Sequence, residues 1–172
     1  MNKSNDTGGY KPPLQNNVGA AFCRPFFYDS KIGPLTIYEE NDAITGIYYK
    51  KHENINKNLS PIAKWCINEL DDYFNKRLTQ FTVPIRLKGT DFQMLVWNEL
   101  KKIPYGETVS YKYIAEKIQN PKAVRAVGMA NSKNPISIIV PCHRVIASNG
   151  KLSGYAGGVT AKSFLIALEI GE

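Results

Sequence analysis

The chain has 172 residues, enough for one domain or two small ones with a core that needs no staples. Apolar content of 43% and charged content of 22% describe an ordinary soluble globular protein, and no apolar run reaches membrane-spanning length. The net charge of +7 is spread along the chain, with +3 on residues 1–88 and +4 on residues 89–172, which fits a polyanionic partner such as DNA but does not demand one.

Three cysteines, Cys23, Cys66 and Cys142, lie far apart, with no C-x-x-C pair. That argues for a reducing compartment and against a disulfide framework. Two histidines, His52 and His143, leave little material for a metal site. A zinc site drawing on Cys23, Cys66 and His52 is conceivable, but their spacing gives it no support. The start of the chain is polar and rich in Gly and Asn, unlike a secretion signal. The expected location is the cytoplasm, or the nucleus in a eukaryote, with no membrane association.

Residues 1–20, with Gly8-Gly9, Pro12-Pro13 and Asn16-Asn17, read as a loose lead-in that need not be ordered. From Ala21 to Lys50, short aromatic and β-branched runs separated by polar breaks read as a meander of hairpins. Ser60-Pro61 opens a helix in cap-then-proline order, with Ile62, Trp65, Cys66, Leu70 and Tyr73 as its core face. A further strand is expected from Phe81 to Leu87. This small α/β lobe is expected to span residues 1–88, and a second lobe residues 89–172.

The second lobe reads as mainly helical. Thr90-Asp91 opens an amphipathic helix closed at Ile103-Pro104-Tyr105-Gly106, and Ser110 caps the next, whose Ile114, Ala115 and Ile118 face inward. Asn120-Pro121 breaks that helix and starts another through about Ala130, giving a helix-turn-helix candidate. On the last of these, Ala123, Val124, Ala126, Val127 and Ala130 share one side, while Arg125 and Gly128 lie on the other. An exposed glycine inside a helix costs about 1 kcal/mol relative to alanine. It is tolerated where another backbone comes close, as a DNA backbone would.

Ser137-Ile138-Ile139-Val140 reads as a buried strand ended by Pro141, delivering Cys142, His143 and Arg144 to its mouth. A thiol beside an imidazole and a guanidinium suits nucleophilic chemistry, provided the sulfur is reachable and ionises. Gly154-Tyr155-Ala156-Gly157-Gly158 is a backbone-exposing loop able to close over a bound group, and Thr160 caps a last helix through Ile170. Glu169 sits in that helix's final turn, where the dipole disfavours a carboxylate, and invites His143 as a partner.

Tyr111, Arg125, Asn134-Pro135, Pro141-Cys142-His143-Arg144-Val145, Gly154-Tyr155-Ala156-Gly157-Gly158 and Glu169 together resemble the methylated-DNA–protein-cysteine methyltransferase family. The close resemblance covers about residues 89–172. It implies an α/β (α+β) protein with a small sheet-plus-helix lobe and a winged-helix-like, helix-turn-helix lobe carrying the acceptor cysteine. The implied activity is the suicidal transfer of an alkyl group from 6-O-alkylguanine, flipped out of duplex DNA, to Cys142.

By that resemblance His143 is the base, held by Glu169 and linked to Cys142 through a water, since neighbours on an extended strand point apart. Asn134 ties the segment together as a hinge. Tyr111 crowds the DNA phosphate and protonates or polarises the departing guanine. Arg125 enters the stack from the minor groove, with Gly128 beside it. The carbonyls of Cys142 and Val145 read the guanine amino group, the Ala156 N–H faces its oxygen, and Tyr155 lines the pocket.

The implied partner is double-stranded DNA containing alkylated guanine, bound by a monomer, with cooperative loading left open. Ala156, Ser137 and Asn131 depart from residues common in relatives, at positions that bear on lesion preference. The competing readings are a lesion-binding module without repair, a helix-turn-helix transcription factor, and a cysteine hydrolase.

Overall fold

The structure is a computed structural model that describes residues 24–50, 55, 56 and 58–171. The lead-in read for residues 1–20, the first residues of the meander, Cys23 and His52 lie outside the described residues.

The meander forms as an antiparallel sheet of β1 (Arg24–Ser30), β2 (Gly33–Glu40) and β3 (Ala43–Tyr48) in sequence order. Its second turn places Asn41 and Asp42 at φ 48° and 55°. Two successive positive φ values match the twist of a tight hairpin, and Asn and Asp tolerate them better than bulkier residues. That turn sets the pairing of Glu40 with Ala43. Phe26, Leu35, Ile37, Ile44 and Ile47 are fully buried. Each such side chain contributes about 1.5–3 kcal/mol by leaving water.

Helix α1 (Pro61–Phe74) starts at Ser60, whose Oγ accepts from Ala63 N at 3.1 Å and donates to Glu39. Its buried face carries Ile62, Cys66, Leu70 and Tyr73. Trp65 was expected on that face and is 43% exposed. It sits about 100° around from Cys66, and its indole N–H reaches Glu69 Oε1 at 3.0 Å.

The strand expected over Phe81–Leu87 is a single bridge between Ile85 and Ile44. Ile44 N donates to Pro84 O and Arg86 N to Ile44 O, both at 2.8 Å. Pro84 has no N–H to continue the ladder. The edge of β3 also meets the second lobe, because Ile47 N donates to Pro135 O at 2.8 Å.

In the second lobe, α2 (Asp91–Leu100) begins with a reciprocal cap between Thr90 and Gln93. Strand β4 (Val109–Ser110) pairs in parallel with β5 (Val145–Ile146) as the small wing. Between them, α3 (Tyr111–Lys117) is capped by Ser110, and α4 (Val124–Ser132) packs on both α2 and α3. Trp97 on α2 is buried and donates to Ala130 O on α4 at 2.9 Å.

Helix α4 starts at Val124 rather than at Pro121, and Ala126, expected inside, is exposed. Helix α5 (Gly158–Ile170) starts before Thr160, with Gly157 as its first flanking residue and no side-chain cap. Among the described residues no helix is long and apolar enough to cross a membrane.

Candidate active site

The stretch expected as a strand before Cys142 is instead a tight coil. Ile139 N donates to Ser137 O and Val140 N to Ile136 O, both at 3.0 Å, and Ile138 sits at φ +75°. A β-branched residue in that region is strained, and such strain persists only where the surroundings over-determine it. Asn134 supplies the constraint. Its Oδ1 accepts from Ile136 N at 3.0 Å, and its Nδ2 donates to Val140 O at 2.8 Å. The same amide faces Cys142 Sγ at 3.1 Å.

Beyond Pro141 the chain forms a single 3₁₀ turn, Cys142–Arg144, not the mouth of a strand. Cys142 and His143 are therefore successive residues of a helical turn. Among the described residues, no hydrogen bond joins their side chains. Cys142 is 3% exposed, and burial pushes its thiol up to about 11. Against burial act the Asn134 hydrogen bond, the charge of Lys162 and the backbone N–H groups of Cys142 and His143. The sulfur was expected to be ionisable and reachable. In this structure it is a covered, neutral thiol at neutral pH, because desolvation outweighs those four stabilisers of the thiolate.

His143 is fully buried, with Nε2 2.7 Å from Glu169 Oε1. Burial lowers its pKa, Glu169 acts the other way, and Arg144 and Lys162 add to the lowering. Burial alone would raise Glu169, yet hydrogen bonds from His143 and Arg144 outweigh it and hold the carboxyl at about 2. An ionised carboxylate only accepts, so the neutral imidazole carries its proton on Nε2. Nδ1 is then the basic nitrogen, and among the described residues it has no hydrogen-bond partner.

The Glu169 carboxylate collects more donors than the sequence indicated. Arg144 reaches it twice, Nε to Oε2 at 2.8 Å and Nη2 to Oε1 at 3.0 Å, and also donates to Ile103 O at 2.6 Å. Tyr73, from α1, donates to Oε1 at 2.7 Å, and Gly106 N to Oε2 at 3.2 Å. Arg144 lay in the quoted motif without a role, and Tyr73 was read only as core.

Lys162 was missed altogether. It is fully buried on α5, and its Nζ donates to Val145 O at 2.6 Å and Ser153 O at 3.0 Å. Burial lowers its pKa and the neighbouring Cys142 raises it. Its spacing from Leu165 and Glu169 puts it on the helix's inward face, and that periodicity was a usable signal.

Tyr111, at the start of α3, donates to Ser153 O at 3.3 Å, and Lys162 Nζ stands 5.7 Å over its ring. Gly128 on α4 is near that ring, since a Cβ there would stand 3.9 Å from Tyr111 Cδ1. Arg125 is exposed one turn earlier on α4. Val145 and Tyr155 are buried, and Ala156 is exposed.

Asn131, one of the departures, is buried and donates to Cys142 O at 3.3 Å. Of the residues weighed for zinc, Cys66 is fully buried in the core. Among the described residues, no cluster of three His, Cys, Asp or Glu could hold a metal.

Comparison with known proteins finds matches along both lobes. Residues 91–170 match the family model described as 6-O-methylguanine DNA methyltransferase, DNA binding domain. Residues 26–87 match 6-O-methylguanine DNA methyltransferase, ribonuclease-like domain. A methylated-DNA–protein-cysteine methyltransferase of Methanosarcina acetivorans is 46% identical over 151 residues, covering 83% of this chain and 95% of that protein. One from Mycobacterium tuberculosis is 47% identical over 146 residues, covering 82% and 88%.

Among solved structures, Mycobacterium tuberculosis OGT in complex with DNA superposes with a TM-score of 0.79 at 45% identity, covering 86% of this chain and 93% of that one. The Mycobacterium tuberculosis O6-methylguanine methyltransferase gives 0.78 at 43% identity, covering 87% and 94%. With both family models matched in order, and the Cys-His-Arg turn seated against Glu169, the chain belongs to the methylated-DNA–protein-cysteine methyltransferase family.

Proposed function

We propose that the protein repairs DNA in a single turnover, swinging a 6-O-alkylguanine out of the duplex and moving its alkyl group onto Cys142 Sγ. The base must leave the stack because its 6-oxygen lies inside the paired duplex, where no thiol can approach in line. Extrusion costs a few kcal/mol, less for a poorly paired base. Arg125, exposed on α4, would fill the vacated space from the minor-groove side and offset part of that cost.

The chemistry follows from the proton positions. Glu169 keeps the His143 proton on Nε2, so Nδ1 receives the thiol proton, through a bridging water. The sulfur attacks the alkyl carbon, the S–C bond forms, the C–O bond breaks, and the electron pair leaves with guanine. Tyr111 donates toward the departing base, and in net terms the thiol proton ends on guanine. The Asn134 amide faces the sulfur, and with the charge of Lys162 it favours the thiolate as charge develops. The thioether is stable, so the protein is consumed and no cofactor takes part. One copy of the chain carries every group invoked.

The observation that carries this reading is the His143–Glu169 pair, which leaves the basic nitrogen one residue from the thiol. The test is mass spectrometry after incubation with a duplex containing 6-O-methylguanine. One methyl group on Cys142, absent from Cys142→Ala, is expected. Recovery of unmodified Cys142, or turnover of an ester or amide substrate, would overturn the reading.

A further inference from the structure

Tyr49 lies just beyond β3, in the lobe that carries none of the family's motif residues quoted above, yet it reaches the acceptor site. Its hydroxyl is 2.6 Å from that of Tyr155, and the two rings meet edge to face at 5.5 Å. The same ring lies against the loop backbone two residues on. A Cβ on Gly157 would stand 2.6 Å from Tyr49 Cε1, a separation that side chains do not adopt. Tyr155 in turn stands edge-on to His143, with ring centres 6.4 Å apart. One ring from the first lobe thus supports the pocket loop at two points and backs the tyrosine beside the base.

Two hydroxyls sharing one hydrogen bond leave one proton unassigned. Among the described residues, neither hydroxyl has another hydrogen-bond partner. Tyr155 is 9% exposed and Tyr49 is only half-buried, so the unshared proton costs less on Tyr49, with Tyr155 donating to it.

We infer that Tyr49 is a positioning residue for alkyl transfer: by bonding the Tyr155 hydroxyl and packing against Gly157 it holds the Tyr155 ring and the pocket loop in place against the flipped alkylguanine. This rests on the reading of the pocket proposed above. The first lobe thereby contributes to the shape of the pocket.

The test is a double-mutant cycle on single-turnover transfer from a 6-O-methylguanine duplex, using Tyr49→Phe, Tyr155→Phe and the double variant. Phenylalanine keeps both rings and the support of Gly157, and thermal melting checks that each variant folds. Each single change is expected to lower the second-order rate by about fivefold, the loss of one hydrogen bond. Because Tyr49 acts through Tyr155, the double variant should be no slower than Tyr155→Phe. A Tyr49→Phe rate within about twofold of wild type, or losses that multiply in the double variant, overturns the inference. Failure of the wild type itself to methylate Cys142 overturns the functional reading instead.

Discussion

His143 Nε2 and Glu169 Oε1 lie 2.7 Å apart across 26 residues of chain, and the next residue, Arg144, grips the same carboxylate through two nitrogens. One acid thus orients the base and neutralises a buried guanidinium. Glu169→Gln keeps the shape and removes the charge. It leaves Arg144 buried without a counter-charge, which costs about 3–5 kcal/mol in comparable pairs. Denaturant unfolding should show a loss of that size. Where the variant still folds, methyl transfer should fall by at least about 100-fold, because the imidazole tautomer is no longer fixed.

The same groups set how stability varies with pH. Glu169 is held at about 2, below its ordinary 4.5, so its stabilisation is present above about pH 4.5 and is lost as pH falls toward 2. His143 is lowered from 6.5, so stability also declines as pH falls below 6.5, where the unfolded chain takes up a proton first. Cys142 is raised from 9.0 to about 11, so its contribution holds below pH 9 and is lost as pH rises to 11. Cys66, pushed to about 12 by burial and then by Glu69, adds to that alkaline limb. Thermal melts across pH should show both limbs, and Cys142→Ala should flatten part of the alkaline one.

A covered thiol raised to about 11 should react slowly with a general alkylating reagent. Site-resolved mass spectrometry with iodoacetamide at neutral pH should show Cys142 reacting more slowly than a cysteine in an unstructured peptide. Lys162 is among the groups that lower this thiol. Lys162→Met should therefore shift the pH dependence of methyl transfer to higher pH, a change that a purely structural loss would not produce.

Much of this site was legible before the fold was seen, because side-chain chemistry and helical period are local. Glu169 in a terminal turn already asked for a partner, with His143 the candidate, and the structure sets His143 and Arg144 there. Backbone geometry was less legible. Ser137 to Val140 has the composition of a strand, but the Asn134 side chain satisfies Ile136 N and Val140 O and coils the segment instead. Pro84 likewise limited an apparent strand to one bridge. Tyr49 and Tyr73 were invisible as site residues. Their contacts to Tyr155 and Glu169 span 106 and 96 residues, and no pattern in either lobe alone encodes them.

The surface that would meet DNA can be separated from the chemistry through Gly128 and Arg125. Gly128 lies within α4, and a Cβ there would make only an ordinary contact with Tyr111, at 3.9 Å. Nothing among the described residues requires glycine there, so Gly128→Ala should stabilise the fold by up to about 1 kcal/mol through helix propensity. If a sugar-phosphate backbone packs against α4, the same methyl group must weaken duplex binding. Arg125 is exposed, and Arg125→Ala should leave stability within about 0.5 kcal/mol of wild type while slowing repair of duplex DNA. Melting temperatures and duplex affinities measured together at one fixed salt concentration check both changes. A Gly128→Ala protein that gains stability and keeps full affinity would place the DNA backbone elsewhere. Loss of affinity with stability gained would locate it on the face that Gly128 shares with Arg125.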